Sequence, residues 1–289
     1  MRRRRASTTT ASALAVRELP ARGRGVVATR AIPRGAVLLE VAPMAHVLKA
    51  RPRSTSWCVA CLRPLASRAP QYCSSACEAA HVARGGALLE RVNLSGLRAL
   101  HVEQGRKFPL LVASLLASLL AEAKSTGRLP TPWAPLELCF AELPMEVPIE
   151  TEWRELLGRF ADAGLADLAA LEHVFLPLAA YRRLLGAAQL NAFELTLAHP
   201  AEDGGATRVS ALLPGTASMF NHSCSPNVLV SCGETAHVAF VAGDDVEANT
   251  ELCISYVGLD ASGEERRRLL AQQYGFECRC VRCAERGGG

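Results

Sequence analysis

Apolar and polar positions change their period three times along the chain. From Arg22 to Leu48, "RGRGVVATRAIPRGAVLLEVAPMAHVL" carries short β-rich runs joined by the turn signal Ile32-Pro33-Arg34-Gly35, and predicts a meander. Between Gly86 and Gln189 the apolar positions recur at helical spacing, in "EWRELLGRF" and "AGLADLAALEHVFLPLAAYRRLLGAAQ", punctuated by "PTPWAP" and "LPMEVP". From Asn191 strand-like runs return: "NAFELTL", "VSALL", "VLVSC", "AHVAFVA" and "ELCISY", with turns such as "AEDGGA" and "CGE" between them. A last helix, "SGEERRRLLAQQY", leads into "GFECRCVRC". Short strands flanking a helical stretch predict an α+β domain with small antiparallel sheets.

One segment fits neither period. "NHSCSPN", Asn221 to Asn227, has no large apolar side chain, yet it runs between "GTASMF" and the strand-like "VLVSC". It can add little to a core, so something else must hold it.

Composition narrows the possibilities. The 289 residues are 49% hydrophobic and 21% charged, ordinary for a globular chain and enough for a substantial core. The net charge is only +4, and four arginines cluster in "MRRRR", so a broad nucleic-acid-binding face is not indicated. No sequence-specific nucleic-acid binding is expected. The apolar run "FPLLVASLLASLLA", Phe108 to Ala121, is too short to cross a bilayer and predicts a buried helix. No membrane association is expected. "MRRRRASTTTASALA" is free of acids and rich in Arg, Ser and Thr, without the apolar core of a secretory signal. A nuclear signal, an organelle transit peptide and a solvated tail remain open for it. The expected compartment is the nucleus, the cytoplasm or both.

Eleven cysteines in an intracellular chain call for an explanation other than disulfides. Cys58 and Cys61 form a C-x-x-C pair, Cys73 and Cys77 a C-x3-C pair, and Cys278, Cys280 and Cys283 make "CRCVRC". Cys139, Cys232 and Cys253 stand alone, as small buried hydrophobes do. Three C-terminal thiols need a fourth ligand to complete a tetrahedral zinc site, and Cys224 of the polar heptad is the natural donor. A metal ion would then supply the stabilisation the heptad lacks.

"NHSCSPN", followed about thirty residues later by "ELCISY" and then by "YGFECRCVRC", resembles the closing motifs of SET-domain protein lysine methyltransferases. "GRGVVATRAIPRGAVLLE" resembles that family's opening motif, and the cysteine module resembles the MYND finger of the SET-and-MYND subfamily. The likeness spans roughly residues 17 to 284, with the helical middle matched by position more than by motif. It implies a SET fold with a knot-like C-terminal crossing, a helical insertion, an inserted zinc finger and a zinc-binding post-SET segment. The implied boundaries are a disordered basic tail over 1–16, a split SET domain over 17–256, the finger over 57–85, the helical insertion over 86–190 and the post-SET segment over 257–289.

The resemblance also assigns roles. S-adenosylmethionine would meet the backbone of Asn221 and His222, with Ser218 and Phe220 on the same wall and Phe276 stacked on the adenine. Gly23 and Gly25 would let the main chain approach the cofactor's methionine end, Arg24 or Arg22 would pair with its carboxylate, and Asn191 would hold its amino group. Tyr256 and Tyr274 match the channel tyrosines, and Phe193 would line the lysine channel. Tyr256 is the first choice for the catalytic position. The implied reaction is methyl transfer to a lysine ε-amine of a histone or another protein. A catalytically inactive SET and zinc-finger interaction module is the alternative.

The finger departs from its family. A complete MYND module holds two zinc ions with eight ligands, and Cys58, Cys61, Cys73 and Cys77 match one set. The second set is missing, because "LRPLASRAPQ" contains no Cys or His and His81 falls too close to Cys77. One zinc is expected here, one in the post-SET site, and His81 on the helix surface. The chain ends at Arg286 plus three glycines, without the helical C-terminal domain of many relatives, so an open peptide cleft and a monomer are expected.

Overall fold

The computed structural model describes residues 13–48, 56–66, 71–104, 108–128, 149–198, 206–233 and 235–284. Cys139, "PTPWAP" and "LPMEVP" lie outside them, as do the first twelve residues. In chain order the strands are β1 (Leu14–Leu19), β2 (Gly23–Ala28), β3 (Val37–Val41), β4 (Ala45–Leu48), β5 (Ser56–Trp57) and β6 (Pro64–Leu65), then β7 (Ala192–Ala198), β8 (Ala206–Leu212), β9 (Asn221–His222), β10 (Val228–Cys232), β11 (Val238–Ala242) and β12 (Glu251–Ile254). The helices are α1 (Ser75–Ala83), α2 (Gly86–Leu89), α3 (Ser95–Gln104), α4 (Phe108–Thr126), α5 (Ile149–Asp162), α6 (Leu168–Ala170), α7 (Leu178–Asn191), α8 (Gly263–Tyr274) and α9 (Val281–Ala284). This is the expected α+β SET architecture of small sheets and a helical insertion.

The chain divides into two compact units. The first comprises residues 1–41, 214–231 and 237–289. Its larger sheet has the order β1-β2-β12-β9, and a second runs β10-β11-β3. Buried Val26, Val27, Leu38, Leu252 and Ile254 belong to its core, where the Phe220 and Phe240 rings stack at 4.8 Å.

Two sequence expectations change here. Residues 14–16, assigned to the tail, lie instead in a strand, where Leu14 pairs with Ala28 and Val16 with Val26 in the β1–β2 hairpin. The meander does not form either. β2 pairs with β1 and β12, β3 with β11, and β4 with β8, so successive strands join three different sheets. The Ile32–Val246 bridge and the Arg34 N–H donating to Asp245 Oδ1 (2.8 Å) redirect the chain at the turn between β2 and β3.

The second unit comprises residues 42–213 and 232–236. Its sheet β4-β8-β7 accompanies a helical core centred on α4, and the β5-β6 pair opens the cysteine finger. At 19 residues α4 is longer than the apolar run suggests and could cross a bilayer by length and composition alone. Inside this unit, however, Leu111, Val112, Leu116 and Leu120 are buried against α5 and α7 residues such as Leu156, Phe160, Leu184 and Leu185, the packing of a core helix. Buried polar groups find partners: Trp153 Nε1 donates to the Leu176 carbonyl (2.8 Å) and the Tyr181 hydroxyl to Glu152 Oε1 (2.6 Å). The long helical pattern from Ala163 to Gln189 is interrupted by a π turn over Leu171–Phe175, and Pro177 restarts it as the N-cap of α7.

Two glycines give opposite expectations. Gly85 caps α2 at φ +74°, and a Cβ there would be driven into the Ala117 carbonyl of α4. Gly158, within α5, has open space around it. Gly85→Ala should lower unfolding stability by about 2 kcal/mol or more, whereas Gly158→Ala should raise it by about 0.5–1 kcal/mol, both read from denaturant melts.

Candidate active site and metal centres

The polar heptad is held by its own side chains acting as substitutes for a strand ladder. β9 pairs in parallel with β12, Asn221 opposite Cys253 and His222 opposite Ile254. Asn227 Nδ2 donates to the Glu251 carbonyl (2.9 Å), while its Oδ1 accepts from the Cys253 N–H (2.8 Å). Asn221 Nδ2 donates to Glu251 Oε1 (2.9 Å) and to the Arg24 carbonyl (3.1 Å). The amides thus stitch the heptad to β12 and β2, and water is not needed to satisfy them.

His222 is the hinge of this arrangement. Its ring is buried, and burial first, then the Arg22 and Arg266 charges, pull its pKa down to about 4. The ring is therefore neutral, and Nδ1 accepts from the Tyr256 N–H (3.0 Å). The proton must then sit on Nε2, which points at Cys224 Sγ at 3.2 Å.

Around it stand the aromatic residues. Tyr256 and Tyr274 lie 4.8 Å apart, Phe276 meets Tyr256 edge-on at 6.4 Å, and His222 lies 5.3 Å from Tyr256 and 6.0 Å from Phe276. The Tyr256 hydroxyl donates to the Phe220 carbonyl at 2.7 Å. Phe220 itself points into the core, so any wall it lines is made by its main chain. Ser218 is buried in the 3-10 turn Gly215–Met219 just before it.

The opening motif resolves two expectations. Arg22 Nε forms an ion pair with Glu251 (3.2 Å), and its Nη2 donates to the His222 carbonyl (2.9 Å). Arg24 is exposed and makes no ion pair among the described residues. Gly23 needs its glycine for φ +64°. At Gly25 the reason differs: a Cβ would come within 2.7 Å of Asn221 Nδ2 and 3.1 Å of Glu251 Oε1. The missing side chain makes room for the protein's own amide.

Asn191 and Phe193 belong to the second unit. Asn191 ends α7, buried, with Nδ2 donating to the Ala187 carbonyl (2.7 Å), and Phe193 follows on β7 opposite Ala211.

Two groups of four thiols converge. Cys224, Cys278, Cys280 and Cys283 place their sulfurs within 4.8 Å of one another, and so do Cys58, Cys61, Cys73 and Cys77. All eight are free of disulfides. Measured separations are 3.6 Å for Cys224–Cys283, 4.0 Å for Cys224–Cys278, 3.6 Å for Cys61–Cys73 and 3.5 Å for Cys73–Cys77. Four sulfurs at about 2.3 Å from a tetrahedral zinc stand roughly 3.8 Å apart, so both groups fit that ion.

The thiol electrostatics point the same way. Burial pushes the Cys280 thiol up, but the Cys224 N–H and then the Cys278 thiol outweigh it and bring it down to about 6. Cys58 likewise falls to about 7, burial being overcome by backbone N–H groups of Cys61, Cys73 and Ala60. Cys283 rises to about 12 through burial and its sulfur neighbours, and Cys61 rises too. In each group one thiol ionises readily, while burial first holds Cys61 and Cys77 in the finger, and Cys278 and Cys283 at the other centre, above the ordinary thiol range.

Local structure explains the finger. Ser74 caps α1 by accepting from the Cys77 N–H (3.2 Å), which sets Cys77 on the first turn beside Cys73. His81 lies on α1 and outside the sulfur group, as expected, but it is half-buried rather than fully exposed. Its ring packs beside Tyr72 and over Gly86, and Nε2 pairs with Glu90 at 3.2 Å, away from the sulfurs.

The family model for the SET domain matches residues 23–257. The chain belongs to the SET-domain family. The chain is 26% identical over 282 residues to the histone-lysine N-methyltransferase ATXR4 of Arabidopsis thaliana, spanning 90% of this chain and 83% of that protein. The histone-lysine N-methyltransferase ASHR2 of Arabidopsis thaliana is 26% identical over 306 residues, 93% of this chain and 71% of the relative. The likeness to the histone-lysine N-methyltransferase SMYD3 of Mus musculus is higher, 42%, but confined to 66 residues, 23% of this chain and 15% of that protein. A solved SET domain of LSMT, bound to lysine and AdoHcy, aligns over 94% of this chain and 54% of its own at 14% identity and a TM-score of 0.41.

Sequence reasoning passed over Arg22 as a brace, Glu251, Asn227, Arg266 and Arg282. Asn227 had a signal, as the amide closing a segment without apolar side chains. Glu251 had none, since it reads as the polar start of a strand. Asn227→Ala would orphan the Cys253 N–H and the Glu251 carbonyl together, and should cost about 2–4 kcal/mol of unfolding free energy in urea melts of the full chain.

Proposed function

We propose that the chain transfers a methyl group from S-adenosylmethionine to a lysine ε-amine of a protein substrate, a histone or another protein. The observation that carries this reading is the Tyr256 hydroxyl fixed on the Phe220 carbonyl (2.7 Å), among Tyr274, Phe276 and His222. The likeness to ATXR4 and ASHR2, both histone-lysine N-methyltransferases, supports it.

The residues suit such a cofactor. β9 is the edge strand of its sheet, so one side of the Asn221–His222 main chain faces away from the ladder, and the Phe276 ring lies near it. A strand edge beside an aromatic face is what a purine needs. The side chains of Asn221 and His222 are tied elsewhere, and the His222 carbonyl accepts from Arg22, so recognition would fall to the remaining main-chain groups of this strand. Arg24 offers a cation for a carboxylate, and the Asn191 amide oxygen has the polarity to accept from an amino group. Ser218 and the Phe220 main chain would complete the wall.

When bound, S-adenosylmethionine supplies an electrophilic methyl on a sulfonium. The acceptor lysine has an unperturbed pKa of about 10.4 and must react neutral. The Tyr256 and Tyr274 rings exclude water and favour the uncharged amine. Tyr256 is the positioning hydroxyl: anchored on Phe220, it aligns the amine for an in-line displacement, a step that depends on geometry more than on acid or base.

We further propose that the finger is a one-zinc remnant of the MYND module, with Cys58, Cys61, Cys73 and Cys77 as ligands, and that Cys224, Cys278, Cys280 and Cys283 hold a second zinc. Both ions would be structural, since four thiolates leave no open position. Elemental analysis of the purified chain should return two zinc per molecule; a single zinc would remove one of the two assignments.

Tyr256→Phe should lower methyl transfer about 100-fold while leaving cofactor affinity nearly unchanged. Radiolabelled methylation of cell extract together with a calorimetric titration of S-adenosylmethionine checks it, and an equal loss in both measurements would displace Tyr256 from the role.

A further inference from the structure

Three arginines follow one another on α8, and they meet different fates. Arg268 is exposed and paired with Glu265 at 2.6 Å, and Arg267 is exposed as well. Arg266 shares a helix face with the fully buried Leu270, and is itself only 1% exposed. Its Nη1 donates to the Ala261 carbonyl. Its Nε and Nη2 are buried without a hydrogen-bond partner among the described residues.

A guanidinium cannot shed its charge to suit a buried site. Something anionic must face it, and Leu270, one turn along the same face, packs in the buried cluster with Cys224, Cys278, Cys280 and Cys283; the Cys224 thiol first, and then that of Cys283, push the arginine's pKa up. Of the two arginines within the triplet, Arg279 is exposed, and Arg282 gives its protons to the Cys224 and Leu259 carbonyls (3.2 and 3.1 Å) and is not the countercharge. Four thiolates around a divalent ion carry a net charge of −2, which a water-excluding site must balance.

We propose that Arg266 is the built-in countercharge of the Cys224–Cys278–Cys280–Cys283 metal centre, donating Nε–H and Nη2–H to its thiolates. This rests on the metal reading above and adds a residue to it. Arg266 acts through the sulfurs, so it is a positioning residue: it favours the fully ionised, loaded set of four thiolates and locks α8 onto it. Among the described residues the finger shows no such buried cation. Its Cys58 thiol is eased only by backbone N–H groups and a neighbouring thiol. The two centres should therefore respond differently to loss of this one arginine.

The test uses the full chain as wild type, Arg266→Met, Arg266→Lys and the exposed control Arg268→Met. Zinc per molecule is measured by elemental analysis during titration with a competing chelator. Arg266→Met should weaken one of the two zinc sites about 10- to 100-fold and leave the other unchanged. Arg266→Lys should weaken it less, and Arg268→Met should match the wild type.

Melting midpoints with zinc and with excess chelator separate this role from simple packing. Arg266→Met should lower the midpoint of the loaded protein but raise that of the stripped protein, because the cation it removes has by then lost its anions. A shift of the same sign in both states, or unaltered zinc affinity in Arg266→Met, overturns the proposal. Should Arg266→Met fail to fold, Arg266→Lys decides by itself: zinc affinity equal to or above wild type overturns the proposal, and weakened binding at one site upholds it. A wild type that holds no zinc at all would instead remove the metal reading on which the proposal stands.

Discussion

The Cys224 sulfur lies 3.6 Å from that of Cys283 and 4.0 Å from that of Cys278, although 59 and 54 residues separate them in sequence. Closing a loop of that length has an entropic cost that grows slowly with length, and four thiols alone repel each other as they ionise. A shared cation reverses the balance, because binding free energy at a site that exists only when folded is folding free energy. From this convergence the rest follows. His222, two positions before Cys224, donates to its sulfur through Nε2 and accepts the Tyr256 N–H through Nδ1. On the other side the triplet fixes the chain just after Phe276 and Tyr274. The sulfur cluster thereby brings together the aromatic residues that the reaction needs.

A second constraint holds the heptad flat against β12. Where an ordinary strand would offer N–H and C=O groups in register, Asn227 supplies both kinds from one side chain, and Asn221 reaches two chain segments at once. Side-chain amides used in this way fix a segment that buries little apolar surface. They also free the outer edge of β9, which would otherwise be covered by another strand. Gly25 belongs to the same economy of space, since any side chain there would displace the Asn221 amide.

What could be read from the sequence was local chemistry. The cysteine spacings, the odd polarity of "NHSCSPN" and the helical period of the middle segment are visible within a few residues, and they gave the fold class, the two thiol groups and the aromatic residues near His222. Pairing between distant strands was not visible. β2 looks ready to continue into β3, yet its partner is β12, more than 200 residues on, and no period of two can name a partner. The same holds for side chains whose role depends on what packs around them. Arg22 and Arg24 are equivalent in "RGRG", and only Glu251 separates them. Arg266, Arg267 and Arg268 are equivalent in "RRR", and only the helix face presented to the sulfurs separates those.

The two thiol groups, alike in composition, act over different distances. The finger's ligands fall between positions 58 and 77, so a metal there closes a short segment whose turns are already set by the Ser74 cap and by the Cys58 N–H donating to the Arg63 carbonyl (2.9 Å). Its main long-range backbone tie is the Ala236 N–H on the Cys61 carbonyl (2.8 Å). The other group joins a polar loop to the end of α8 and to α9, and there no local capping could substitute. A buried arginine is tolerable only at the second kind of centre. Where the anion is assembled from distant parts of the chain, a cation fixed on one of those parts makes the correct assembly the one state in which its charge is matched, and every partial assembly leaves it unmatched.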